Sequence, residues 1–300
     1  MKKKTYLIAL MAMALTLGSC SDNENGIGGE TSKYITVSTS IGNMTRVATD
    51  ANGGQTFEEG DEISVYAWIG APTVAPETRE RVVNNAINKL TNGSWVATPQ
   101  MLWKNNRDKH YFIGVYPTAA ISDLSAGEYT FDVNKQTESD LLVAVNKDGL
   151  SYNADAQQTV PLTFTHVMAK LVVNLTYKNQ WGGIPTVEKV AVGNAAKEAT
   201  INYLTKVVTP STTAKEDFSL PEITENTKYV SVIIPQEDVK QLTIVIGGKN
   251  FVYDNGTPFK LESGKITTVN LEVGRDEIKL GDVKITNWED GSTFSGEALN

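Results

Sequence analysis

The chain has 300 residues, with 27 basic and 35 acidic side chains and a formal net charge of −8. This length is enough for two domains with proper cores, and the negative balance, without any basic cluster, excludes nucleic acid as a partner. One cysteine and two histidines exclude an internal disulfide and predict neither a metal site nor a cofactor.

The first twenty residues have the pattern of an export signal. Lysines at positions 2–4 precede an apolar run at residues 6–17, and Gly18 and Ser19 are small residues directly before Cys20. This junction resembles a bacterial lipobox, which implies cleavage between Ser19 and Cys20 and attachment of fatty acids such as palmitate to Cys20. The apolar run is shorter than the ~20 residues of a membrane-spanning helix. We predict an outer-membrane, surface-exposed lipoprotein; an ordinary secretory signal with an incidental cysteine is the alternative.

Residues 20–32 are polar and rich in glycine, which predicts a flexible tether. Their acidic residues resemble the export signal that follows the lipidated cysteine in surface lipoproteins of gut and oral anaerobes. A plain solvated linker is the alternative. Without residues 1–19 the chain has 24 basic and 35 acidic side chains, so its net charge becomes −11.

Almost every later segment alternates with period two and is rich in Val, Ile, Thr and Tyr, which predicts β-strands. The first predicted group covers residues 34–41, 61–69, 82–90, 93–95, 101–103, 110–116, 129–133 and 141–145. The longest pattern, at residues 160–177, is partly apolar on both faces and predicts a central strand or one that bends between sheets. The remaining predicted strands cover residues 187–192, 229–234, 242–246, 251–253, 265–273 and 279–288.

This succession of short strands predicts an all-β protein built from two tandem β-sandwich domains. A polar, glycine-containing stretch at residues 146–157 marks the boundary, which gives domains at residues 33–157 and 158–300. No segment predicts a helix of more than three turns.

Several short motifs follow one another along the chain. They are Thr45-Arg46, F-E-E-G-D-E-I-S-V at residues 57–65, tryptophans 95 and 103 with F-I-G-V-Y-P at residues 112–117, F-T-H-V-M-A-K-L at residues 164–171, and I-T-N-W at residues 285–288. In this order, behind a lipobox, they resemble the fimbrillin-like family of type V pilus subunit precursors. Gly114 departs from the family pattern, which has alanine there. The resemblance implies transthyretin-like sandwich domains and a structural or adhesive pilus subunit that binds other subunits and a host or bacterial surface ligand.

The resemblance also implies assembly by strand addition. In the family, an arginine-specific protease removes the first strand of the lipidated precursor, and the groove left behind accepts a strand from the next subunit. Arg46 matches the cleavage position because it follows the predicted strand at residues 34–41, and cleavage would leave Val47 as the new N-terminus. A surface arginine that no protease uses is the alternative.

The donor strand is predicted at the C-terminal residues, where Phe294, Ala298 and Leu299 are candidate pocket-filling side chains. That segment is short for a full donor strand, which favours a position at an end of the fibre.

Catalysis is not predicted, because the sequence contains no nucleophile elbow, no H-E-x-x-H helix and no P-loop. His110 and His166 lie within strand patterns and are interpreted as structural. Trp68 and Trp181 lie beside predicted turns, where an exposed ring could stack on a sugar; packing in the core, which uses most aromatic side chains of a sandwich, is the alternative. A monomeric glycan-binding lipoprotein that keeps its lipid is therefore the rival hypothesis.

Overall fold

The computed structural model describes residues 33–42, 56–154, 158–254 and 256–288. Strands make up 56% of the described residues and helices 4%, so the all-β prediction is confirmed. The described residues belong to one compact unit. Within the described ranges, no helix has both the length and the apolar character needed to cross a membrane.

The strands alternate with turns and loops, as the turn residues between the alternating segments predict. A single turn of α-helix, α1, covers Gln136–Ser139. In chain order the strands are β1 (Thr36–Ile41), β2 (Glu62–Ile69), β3 (Val83–Thr91), β4 (Ser94–Thr98), β5 (His110–Tyr116), β6 (Gly127–Thr130), β7 (Leu142–Leu150), β8 (Thr159–His166), β9 (Ala169–Tyr177), β10 (Val187–Ala196), β11 (Glu198–Asn202), β12 (Val207–Pro210), β13 (Lys215–Ser219), β14 (Glu222–Thr224), β15 (Lys228–Ile233), β16 (Gln241–Ile246), β17 (Lys249–Asp254), β18 (Lys265–Val273) and β19 (Ile278–Asn287).

Four sheets contain these strands. The N-terminal sheet has seven strands in the order β1-β8-β7-β5-β2-β3-β4. A five-stranded sheet, β14-β15-β9-β18-β19, and a four-stranded sheet, β13-β10-β16-β17, form the later part. The small sheet β12-β11-β6 pairs a strand of the earlier part with the β11–β12 hairpin, and so ties the two parts together by main-chain hydrogen bonds.

Apolar side chains cover both faces of the seven-stranded sheet. In β2, Ile63 and Val65 belong to one buried cluster, whereas Tyr66 and Trp68 belong to the other, and all four are fully buried. The second cluster continues through the five-stranded and four-stranded sheets. Alternation in a strand with two buried faces therefore divides its residues between two cores.

The long pattern at residues 160–177 is two strands, because the chain passes from one sheet to another at Val167 and Met168. β8 pairs with β1 and β7 in the N-terminal sheet, and β9 pairs with β15 and β18 in the five-stranded sheet. A strand that bends between sheets is one of the two alternatives that the sequence predicts for residues 160–177. The division into domains between residues 157 and 158 stays a prediction. β8 begins directly after that boundary, but it pairs with β1 and β7, which lie before it in the sequence.

Two of the sequence motifs meet where β19 ends. The buried Trp288 ring stacks on the His166 ring, with centroids 4.1 Å apart and planes 5° apart. Lys170 Nζ lies 4.3 Å from the centroid of the same indole, and His166 Nδ1 lies 2.8 Å from Asp140 Oδ1. Burial lowers the pKa of Lys170 to about 8, and the Asp140 carboxylate opposes this shift. These contacts support a structural role for His166.

Gly114 in β5 leaves space that a side chain of β8 occupies. A Cβ atom at this position would lie 2.6 Å from Phe164 Cζ and 3.1 Å from Leu162 Cδ1. Both neighbours are buried, so neither can turn into solvent. The departure from alanine noted in the sequence therefore has a packing reason.

We predict that Gly114→Ala lowers the free energy of unfolding by about 1–3 kcal/mol, the usual cost of overpacking a core. Phe164→Leu removes the ring atom nearest the added methyl group and should relieve that clash. In a double-mutant cycle measured by urea unfolding, the double variant should lose less than the sum of the two single losses. Additive losses would contradict the packing account.

Candidate functional site

β1 is an edge strand of the N-terminal sheet, and β8 depends on it for part of its main-chain pairing. It runs parallel to β8, with Thr36 opposite Thr159 and Ile41 opposite Phe164. On its other side, β8 pairs with β7 only at residues 164–166. Among the described strands, β1 is therefore the one that pairs with residues 159–163.

The residues just before β1 hydrogen-bond to a different part of the chain, at residues 101–103. Ile35 N–H donates to the carbonyl of Met101 at 2.9 Å, and Trp103 N–H donates to the carbonyl of Lys33 at 3.2 Å. Tyr34 and Leu102 form an antiparallel bridge between these hydrogen bonds. The segment from Lys33 to Ile41 thus bridges β8 and the stretch that follows β4. We call the space that this segment fills the β1 slot.

The β1 slot lies over a buried apolar cluster that includes aromatic side chains, which we call its aromatic floor. Ile35 and Val37 point inward and are only 3% and 6% exposed. They belong to the same buried cluster as Trp103, Phe112 and Phe164. Burial of one aliphatic side chain stabilises a fold by ~1.5–3 kcal/mol. A whole domain is stable by only ~5–15 kcal/mol, so an empty slot would cost a large part of the stability.

A side-chain hydrogen bond ties β1 to β4 across the slot. Trp95 Nε1–H donates to Thr39 Oγ1 at 3.0 Å, and both side chains are half-buried. The ring of Phe57 packs edge-on against the Trp95 ring, with centroids 5.3 Å apart, and against the Phe164 ring at 5.1 Å. The indole is therefore positioned by groups outside β1.

The segment that holds the start of β1 is itself fixed by His110. The buried His110 ring accepts a hydrogen bond at Nε2 from the backbone N–H of Lys104 at 3.1 Å, and its Nδ1 lies 3.1 Å from the carbonyl of Asp108. A neutral ring with its proton on Nδ1 satisfies both contacts. Trp103 packs edge-on against it with centroids 5.0 Å apart. Burial lowers the pKa of His110, which favours the neutral form.

The site residues predicted from the sequence lie outside the described residues. They are Ser19, Cys20, Arg46, Val47, Phe294, Ala298 and Leu299. β1 ends at Ile41, and the description resumes at Thr56, so in the sequence Arg46 falls between β1 and the rest of the N-terminal sheet. Signal cleavage, lipidation, processing and strand donation stay predictions.

The two tryptophans considered for sugar stacking are engaged by the protein. Trp68 is fully buried and donates from Nε1 to the carbonyl of Ala71 at 2.9 Å, so of the two alternatives core packing holds at this position. Trp181 is half-buried and donates to the carbonyl of Val273 at 2.9 Å. Its ring also packs against Phe251, with centroids 6.0 Å apart. Neither indole is arranged as an open stacking platform.

The cavities and charged groups in the described part do not form a catalytic arrangement. No group of three or more His, Cys, Asp or Glu side chains there could hold a metal ion. Of the cavities, one of about 340 Å³ is lined by two lysines and no carboxylate. Another, of about 370 Å³, is lined by one lysine and no carboxylate. Of the features described, the β1 slot is therefore the candidate functional site. The sequence indicated it through the strand pattern before Arg46.

Comparison with known proteins gives a consistent family and fold. A family model described as fimbrillin-like matches residues 45–288. A crystal structure of a protein described as a cell adhesion protein from Bacteroides ovatus ATCC 8483 superposes with a TM-score of 0.62 at 18% identity, covering 85% of this chain and 98% of that one. A fimbrial protein from Bacteroides vulgatus ATCC 8482 gives a TM-score of 0.53 at 14% identity, with 84% and 99% covered. The tip fimbrial protein Mfa3 from Porphyromonas gingivalis gives 0.50 at 11% identity, with 77% and 95% covered. No curated protein matches the chain.

We predict that acidification weakens the protein through His110. Because the pKa of His110 is lowered in the folded state, the unfolded chain takes up the proton first as the pH falls below the ordinary value of 6.5. The stability contributed by the neutral ring is present above that pH and is lost below it.

The His110→Gln variant tests this prediction, since an amide oxygen can accept the Lys104 N–H at every pH. Urea unfolding between pH 7.5 and pH 5.5 should show a smaller fall in unfolding free energy for the variant than for the natural protein. An equal fall in both would contradict the role of His110.

Proposed function

The chain belongs to the fimbrillin-like family, and from this premise we propose that it is a pilus subunit completed by strand addition after removal of β1. The family and its structural neighbours are fimbrial and adhesive proteins and not enzymes, as the sequence predicted. They favour a place on the cell surface, in contact with other pilus subunits.

The pairing of β8 with β1 is the main support for the proposal. Residues 159–163 have β1 as their described partner strand, and the inward side chains of β1 cover an aromatic floor. Removal of β1 would expose unpaired N–H and C=O groups beside apolar surface. An edge of this kind binds an extended segment by strand addition.

The proposal assigns a temporary role to the lipid. Cleavage after Arg46 would break the covalent link of both Cys20 and β1 to the rest of the chain in one step, because both precede the cut in the sequence, and the lipid and β1 could then leave together. The lipidated precursor would stay monomeric, since its slot is filled. We retain residues 294–300 as the proposed donor segment for another subunit.

An arginine-specific protease applied to the purified precursor tests the proposal. The expected result is one cut, a new N-terminus at Val47, and a ladder of oligomers in native electrophoresis. Arg46→Lys should abolish both the cut and the ladder, whereas Arg107→Lys, a change in an exposed loop, should leave both intact.

A fatty-acid analogue adds an independent readout to the same experiment. The label should be absent from Cys20→Ala and should leave with the N-terminal fragment of the natural chain. A product cut at Arg46 that stays monomeric would refute strand addition. Label that persists in Cys20→Ala would refute the lipid site. An uncut monomer that keeps its label and binds glycans would favour the rival hypothesis.

A further inference from the structure

The β1 slot makes different demands at successive inward positions of the strand that fills it. Ile35 and Val37 lie against the aromatic floor and are almost completely buried. Two residues further along, Thr39 is half-buried and accepts the indole hydrogen bond of Trp95. The outward residue Ser38 is exposed, so the slot makes no comparable demand on it.

The requirement for a hydrogen-bond acceptor at the Thr39 position is set by Trp95, which lies outside β1. Trp95 pairs with Leu90 in the β3–β4 hairpin and packs against the Phe57 ring. The indole N–H therefore stays directed at the same point when another strand enters. A valine side chain has nearly the volume of threonine but cannot accept a hydrogen bond, so it would leave this half-buried donor without its partner.

We propose that the slot selects its strand by a three-position rule: apolar at the positions of Ile35 and Val37, and hydroxyl-bearing at the position of Thr39. The occupant is an extended segment of a separate protein chain that carries the series apolar-x-apolar-x-Ser/Thr and runs parallel to β8. This inference rests on the proposed function in that it names the kind of strand that replaces β1.

The rule also bears on the tail of this chain. Residues 289–300 contain no apolar-x-apolar-x-Ser/Thr series in either direction. Phe294, for example, is followed two positions later by Gly296. A second copy offering this tail would therefore fit the slot poorly at the deepest positions.

Peptide exchange into the full-length protein tests the rule. The protein is cut once within residues 43–55, at Arg46 or at a cleavage sequence introduced there, so that β1 stays bound without a covalent link. Fluorescent peptides are then added, and their binding is measured by anisotropy. The peptides are the natural sequence of residues 33–42, its Thr39→Val and Thr39→Ser forms, a form with Val37 and Thr39 exchanged, and residues 289–300.

The Trp95→Phe variant is the matched control, because phenylalanine fills the same region without an N–H donor. In the natural slot, Thr39→Val should weaken binding about tenfold, the size expected for one unpaired donor, and Thr39→Ser should bind within about threefold of the natural peptide. In Trp95→Phe the penalty for valine should fall below about twofold, since the donor is gone. The exchanged peptide and the tail peptide should bind more weakly than the natural one in both slots.

Several outcomes would overturn the rule. They are a valine peptide that binds the natural slot as tightly as threonine, a valine penalty that survives Trp95→Phe, and a tail peptide as tight as the natural one. If β1 does not exchange, urea unfolding of the uncut chain with Thr39→Val, Trp95→Phe and both changes gives the same coupling, and its absence overturns the rule. A slot that ranks peptides as predicted in subunits that never join would refute the proposed function and leave the rule intact.

Discussion

The pairing of β8 with β1 is the constraint on which the N-terminal half of the structure depends. β8 enters the sheet at Thr159 but meets β7 only from Phe164 onward, so its first five residues have a main-chain partner in β1. β8 then continues through Val167 and Met168 into β9, which pairs with two strands of the five-stranded sheet. A strand near the N-terminus thus stabilises the element that joins the two parts of the core.

Three kinds of contact hold β1, and each has a different consequence for its replacement. The main-chain pairing with β8 is available to any extended segment, because backbone groups are common to all residues. The apolar contacts of Ile35 and Val37 require suitable side chains but tolerate exchange among aliphatic residues. The hydrogen bond from Trp95 requires an acceptor at one position and therefore adds specificity. The slot combines a general affinity for strands with a local requirement.

Much of the strand content was predictable because alternation of apolar residues is a local signal. The segments at residues 110–116 and 265–273 were predicted with the bounds that β5 and β18 have. Strands β11 to β14 were not predicted because each has five residues or fewer, too short to show a clear period, and no residue of β12 or β14 is buried. β11 pairs with β6, a strand far from it in the sequence, and no local pattern indicates that pairing.

The site was only partly predictable for the same reason. The strand before Arg46 indicated which element matters, but the partner of Thr39 is Trp95, 56 residues later, and no local pattern connects them. The packing of Gly114 against Phe164 also needs the fold to be seen. Trp68 lay next to a predicted turn, but it is buried because the second face of its sheet is covered by a core.

Hydrogen–deuterium exchange tests the central claim most directly, namely that β1 is the strand that completes β8. The lipidated precursor and the product cut after Arg46 are compared by mass spectrometry under native conditions. We expect amides within residues 159–163 to lose protection when β1 leaves the cut monomer, amides of β9 and β18 to keep theirs, and the lost protection to return when a strand fills the slot. Unchanged protection of residues 159–163 after β1 has left would contradict it.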